Sequence, residues 1–159
     1  MHPDGSEAAR KSKEAQELMR SGHTVLLIDA YQTGKAIAPR RQVDPTVRPE
    51  LRRGGEPQPQ YLVFNRSDSS NRVQDILTAL AYLGNSGASS ITLVGLGDAA
   101  VWAAFAAAVA KTPVILKADL NGFRGNDNDF IERFFIPGIQ HAGGLKTALA
   151  LAAQPGAAR

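Results

Sequence analysis

Ile91-Thr92-Leu93-Val94-Gly95-Leu96-Gly97-Asp98-Ala99-Ala100 is the stretch from which the rest of the chain is read. Ile91 to Val94 are strand formers, two of them β-branched aliphatics and one a threonine. They run into Gly95-Leu96-Gly97, a turn. The turn opens onto an alanine-rich helix over 99–110 that carries Val101, Trp102 and Phe105. A strand, a glycine turn and a helix in immediate succession put backbone amides at the carboxyl end of a strand, where open α/β sheets bind ligands. The residue at position 97 sets the chemistry of such a turn, and here it is glycine.

Two further apolar runs flank this centre. Val25-Leu26-Leu27-Ile28 follows Ser21-Gly22 and stops at Asp29. Pro113-Val114-Ile115-Leu116 runs toward Asp119. Continuous short apolar runs of this kind suit strands buried on both faces of a parallel sheet. Between them lie helical patterns. Residues 7–20 carry a modest apolar face of Ala8, Ala15, Leu18 and Met19. Val73, Ile76, Leu77, Leu80 and Ala81 repeat at helical spacing behind a cap at Ser67, Ser69 or Ser70. Gly84-Asn85-Ser86-Gly87 ends that helix. Asp129 or Asn128 caps a short helix through Phe135, and 143–153 is the last helical pattern. Tyr61 to Phe64 reads as a short extended piece.

Helices alternating with buried strands imply an α/β fold, a three-layer, mostly parallel doubly wound sheet. We expect one domain over 1–159, with a long Pro/Arg-rich loop at 32–60 and a frayed tail at 155–159. Three clear strands make a narrow sheet, which a homo-oligomer could complete.

The chain has 159 residues, 43% of them hydrophobic, enough for a real core. It has no cysteine, which excludes disulfides, thiolate metal ligands and a thiol nucleophile. Its net charge is +3, and Arg40, Arg41, Arg48, Arg52 and Arg53 concentrate the excess in the long loop. The excess is local, and basic residues do not interleave with aromatics, so no nucleic-acid partner is expected. Residues 1–16 hold no apolar leader and no run is long enough to span a bilayer, so a cytoplasmic protein without a membrane partner is expected. Asp29, Asp119 and Asp127 lack metal-ligand spacing, and no metal is expected.

Gly95-x-Gly97-x-x-Ala100 fits a dinucleotide fingerprint. It follows a strand, opens a helix, and is followed about 20 residues on by Asp119, where an acid would bond ribose hydroxyls. On that reading Gly95, Gly97, Ala100 and Asp119 hold NAD. Asp98 inside the turn opposes a pyrophosphate, and another strand and helix precede the motif.

Three segments taken in order resemble a known family. They are Gly22-His23-x-Val25-Leu26-Leu27-Ile28-Asp29, then Arg72-Val73-Gln74-Asp75-Ile76-Leu77-x-Ala79-Leu80-x-Tyr82-Leu83, then Val94-Gly95-x-Gly97-x-Ala99. Together they resemble the middle of an α/β-hydrolase of the dienelactone hydrolase and acetylxylan esterase type, over roughly residues 15–153. The resemblance implies a hydrolase-like sheet with its nucleophile elbow at 95–99, an esterase-like lineage acting on carboxylic esters, no cofactor, and a small ester-like ligand. The elbow's nucleophile position carries Gly97, and the family's acid and histidine follow later strands. An elbow holds its nucleophile at positive φ, a strain of about 1–3 kcal/mol for a residue with a side chain. Glycine adopts that conformation freely once no nucleophile is needed. The amides of Asp98 and Ala99 are then the oxyanion-type donors, and the catalytic residues themselves are unknown.

Other candidates have plainer explanations. His141 follows Pro137-Gly138 on a loop, and nothing in the sequence places it, His2 or His23 beside Gly97. Ser86, Ser89 and Ser90 precede the central strand, at the edge away from the site. The cluster Phe134-Phe135-Ile136 is better read as core than as an exposed anchor. A non-catalytic scaffold or subunit is the remaining class of function.

Overall fold

Gly95 shows why this sequence folds as it does. A Cβ built on it would lie 2.6 Å from Ala100 Cα, 2.8 Å from Ala99 O and 2.9 Å from Ala103 Cβ. Only a glycine lets the strand come this close to the helix that follows. The computed structural model describes residues 1–37, 52, 53, 56, 57, 66–120 and 122–153. In chain order come α1 (Ser6–Lys11), α2 (Lys13–Arg20), a 3-10 turn (Gly34–Ala36), two-residue strands β1 (Arg52–Arg53) and β2 (Glu56–Pro57), α3 (Asp68–Asn85), β3 (Thr92–Gly95), α4 (Ala99–Val109), β4 (Ile115–Ala118), α5 (Asp127–Glu132) and α6 (Gly144–Ala152).

β3 and β4 are parallel neighbours in the register Thr92↔Ile115 to Gly95↔Ala118, joined through α4. This β3-α4-β4 unit is the fold's centre. Residues 99–108 are all buried, so α4 is apolar on every side and wrapped by other elements. It packs against β3, β4, α3 and α6. Its alanines are what allow so many elements to approach one helix. α3 starts at Ser67, whose hydroxyl accepts from the Ser70 amide at 3.2 Å, and buries Ile76 and Leu80 on one stripe. An aromatic group closes the far side of α4. Phe105 and Phe134 stack with centroids 4.3 Å apart, and Phe123 and Phe130 meet edge to face at 5.2 Å.

The fold is thus α/β, with a small parallel sheet. Among the described residues it is not the three-layer doubly wound sheet expected from the sequence. The strand expected at 25–28 does not form: among the described residues its backbone joins no ladder. A cavity of about 590 Å³ lies between it and β3. Two other expectations shift. The helix expected over 7–20 breaks at Ser12, whose extended backbone (ψ 152°) starts a new helix by accepting from the Ala15 amide. The strand expected at 113–116 forms at 115–118.

α5 is capped by Asn126, not Asn128 or Asp129. The Asp129 carboxylate accepts instead from the Arg124 and Gly125 amides, at 2.6 and 2.9 Å. The extended piece expected at 61–64, the tail 155–159 and most of the loop 32–60, with Arg40, Arg41 and Arg48, lie outside the described residues. Arg52 and Arg53 form β1, paired antiparallel with β2.

Candidate functional site

The candidate site is the turn between β3 and α4. Gly97 has φ +54°, the left-handed conformation an elbow requires. A Cβ there would meet only Pro3, at 3.5 Å from Cγ and 3.6 Å from Cδ, which is ordinary contact. The turn therefore has room for a side chain, and it is the backbone that favours glycine.

The chain's first residues cover the turn. The Met1 nitrogen donates to Val94 O at 2.7 Å, and Leu96 N donates to Met1 O at 3.0 Å. These are the two bonds a parallel partner would make opposite Gly95. Pro3 then lies against Gly97. His2, between them, is consequently the histidine near the turn; its Nδ1 accepts from the Asp4 amide at 3.1 Å. His141 is exposed on the segment preceding α6, and no hydrogen bond or ion pair ties it to the turn among the described residues. His23 lines the cavity at 24–28 instead.

The turn's amides are largely spent on the turn itself. Ala99 N donates to Leu96 O and Ala100 N to Gly97 O, both at 3.1 Å, and Val101 N to Asp98 O at 3.2 Å. Ala99 and Ala100 are fully buried. The expectation that the Asp98 and Ala99 amides are oxyanion-type donors is therefore corrected for Ala99, because a tight turn closes on its own carbonyls. Asp98 does not cap α4. Its carboxylate is drawn aside by Arg133, whose Nη2 and Nε lie 2.6 and 3.0 Å from Oδ1. Arg133 also sits over the Phe123 ring at 5.6 Å. Arg133 was not a candidate on sequence, since 35 residues separate it from Asp98 and no local pattern links them.

Asp119 follows Ala118, which pairs with Gly95, so Asp119 and the glycine turn share the carboxyl end of the sheet. Asp29 is committed to structure. Its Oδ1 accepts from Ser6 N at 2.6 Å and sits in the crook of Gly5 and Gly34, where a Cβ on either glycine would collide with it. The Ser6 amide, helped by Lys35, holds the Asp29 carboxyl below the usual carboxylate range against the opposing effect of burial. Arg72 lies 4.5 Å over the Trp102 ring and donates from Nε to Tyr31 O at 3.0 Å. Trp102 Nε1 is buried and has no hydrogen-bond partner among the described residues.

Among the described residues no group of three His, Asp or Glu is placed to hold a metal ion, and no helix is long and apolar enough to cross a membrane. No protein-family model, no curated protein and no solved structure matches this chain.

Proposed function

We propose that the chain is an α/β-hydrolase-type protein of esterase-like lineage whose elbow has lost its nucleophile, and that it acts as a non-catalytic binder of a small ester-like molecule or as a scaffold. The observation that carries this reading is Gly97 itself. It stands at φ +54°, at the carboxyl end of a parallel strand and at the mouth of a buried helix, with ordinary contact distance left around its missing side chain. A nucleophile elbow has this backbone; what is missing is the Oγ. Among the described residues no histidine is bonded to the turn: His141 makes no hydrogen bond or ion pair with it, and His2 Nδ1 accepts from the Asp4 amide. On this reading β3 and β4 are the central pair of a wider, doubly wound hydrolase-type sheet.

A second reading, an NAD-binding domain, is favoured by two features. Gly95 permits the close strand-helix approach that a dinucleotide turn uses, and Asp119 lies one residue past the partner of Gly95. Three features weigh against it: the Ala99, Ala100 and Val101 amides are bonded within the turn, Asp98 adds negative charge, and Pro3 occupies the approach to Gly97.

Titration with NADH, followed through Trp102, the only tryptophan, separates the two. The hydrolase-type reading expects no saturable quenching up to millimolar NADH, and no turnover of p-nitrophenyl acetate by the wild type or by Gly97→Ser. Saturable energy transfer to the nicotinamide would establish the dinucleotide reading. Turnover by the wild type would show that hydrolysis persists through other residues.

A further inference from the structure

We propose that Thr24–Ile28 is a strap that closes onto the free edge of β3 as a third parallel strand, and that the cavity beside it is the open state of that movement. The inference uses the geometry of the strap and of β3 and is independent of the hydrolase-type reading.

The edge is open in a defined way. Ile115 N donates to Ile91 O at 2.9 Å, and the ladder pairs Thr92 with Ile115. In a parallel ladder alternate residues face alternate sides. Ile91, Leu93 and Gly95 therefore turn their backbone groups to β4, and Thr92, Val94 and Leu96 turn theirs the other way. Met1 satisfies Val94 O and Leu96 N. That leaves Thr92 N, Thr92 O and Val94 N facing the cavity. One strap residue opposite Leu93 would serve Thr92 O and Val94 N together, without displacing Met1.

The strap is short of the same bonds. Among the described residues, none of the backbone groups of Thr24–Ile28 makes an intramolecular hydrogen bond. Half-buried backbone is rarely left so. Its side chains are those of a strand buried on both faces, yet Leu26 is 42% exposed. The cavity of about 590 Å³ between strap and edge is lined by Leu18, Leu27, Ile76, Leu80 and Leu93. Closure would remove this apolar surface from water and pair both sets of backbone groups.

Both ends of the strap are already fixed, so closing it forms no new long loop. At one end His23 N donates to Leu18 O at 3.1 Å beside Gly22 at φ +81°. At the other, Asp29 binds Ser6, and Tyr31 N donates to Asp75 Oδ2 at 2.8 Å. Arg72, which holds Tyr31 O, also stacks on Trp102 in the first turn of α4. These contacts tie the strap's carboxyl end to the side of the sheet on which α4 begins, which orients the strap parallel to β3.

Amide hydrogen exchange by NMR on the full chain tests this. The Thr92 and Val94 amides are expected to exchange as slowly as Ile115, which already donates in the ladder. At least one amide within 24–28 should slow with them, with cross-strand NOEs between the strap and Leu93. Free-edge exchange rates at Thr92 and Val94 would overturn the proposal. So would protection of Thr92 and Val94 that rises with protein concentration while 24–28 stays fast, because a second copy would then be covering the edge. Leu26→Pro and Leu27→Pro give a further check. Alternation places only one of the two amides toward β3, so one variant, and not both, should abolish the protection.

Discussion

Arg133 Nη2 lies 2.6 Å from Asp98 Oδ1, an ion pair that joins the end of α5 to the first residue of the turn after Gly97. Its two contacts to one oxygen form a charge-assisted arrangement in a half-buried setting. It holds the carboxylate of Asp98 away from the amino end of α4, which therefore lacks a side-chain cap. Truncating Arg133 to alanine should cost about 1–2 kcal/mol, between the values for an exposed pair and for a buried charge-assisted hydrogen bond. A double-mutant cycle with Asp98→Ala in urea measures it. If the two effects simply add, the pair contributes nothing by direct contact.

Gly95 and Gly97 should respond differently to alanine. At Gly95 the new methyl would meet the backbone of Ala99 and Ala100 below 3.0 Å, and backbone cannot move aside cheaply. A loss of about 1–3 kcal/mol or more is expected from overpacking. At Gly97 the methyl meets only Pro3 at ordinary distance, so the loss is the left-handed backbone penalty alone, about 1–2 kcal/mol. Thermal unfolding of the two variants should place Gly95→Ala lower. The reverse order would mean that the strand and helix are not packed as closely as described.

Acid should weaken the tether between α1 and the segment after residue 28. The folded state holds the Asp29 carboxyl below its ordinary range, chiefly through the Ser6 amide. A depressed carboxylate contributes stability that is present above the unfolded-state pKa and is lost as pH falls through the folded-state pKa. Unfolding followed from neutral to acid pH should therefore show a decline in the wild type that is shallower in Asp29→Asn. The substitution itself should cost about 1 kcal/mol at neutral pH, as for the loss of a helix-cap acceptor. Parallel acid limbs for the two proteins would rule out this role.

Neighbouring phenylalanines should separate cleanly. Phe134 is fully buried against Phe105, whereas Phe135 is 37% exposed. Phe134→Ala should cost about 3–5 kcal/mol, and Phe135→Ala roughly 1 kcal/mol or less. Chemical denaturation measures both. Similar losses would contradict the assignment of Phe134 to the aromatic group behind α4.

The parts legible in the sequence are those that local chemistry decides. The β3-turn-α4 unit, the positive φ at Gly97, a cap among Ser67, Ser69 and Ser70 and the stripe of Ile76 and Leu80 all follow from residues a few positions apart, the structure choosing Ser67 for the cap. Hydrophobic period and turn chemistry act over that range. Where two local signals competed, the sequence misled. Ser12 sits within a helical pattern, but its extended backbone ends one helix and its hydroxyl caps the next. Asn126 outcompetes Asn128 and Asp129 for the cap of α5 because Asp129 is taken by the Arg124 and Gly125 amides.

By itself, then, the sequence determined an α/β chain built on a glycine turn without a nucleophile, with a parallel pair of strands joined by a buried alanine-rich helix. Tertiary structure alone decided what surrounds that turn. Met1 meets Val94 across 93 positions, Asp98 meets Arg133 across 35 and Ser6 meets Asp29 across 23. Such pairings depend on how whole elements pack, and many residues of the same type could have met instead. The position of Val25 to Ile28 shows the same limit. Their composition makes them strand formers, but a strand exists only where a partner edge lies at hydrogen-bonding distance, and that distance is set by the packing of α2, α3 and β3 around the cavity.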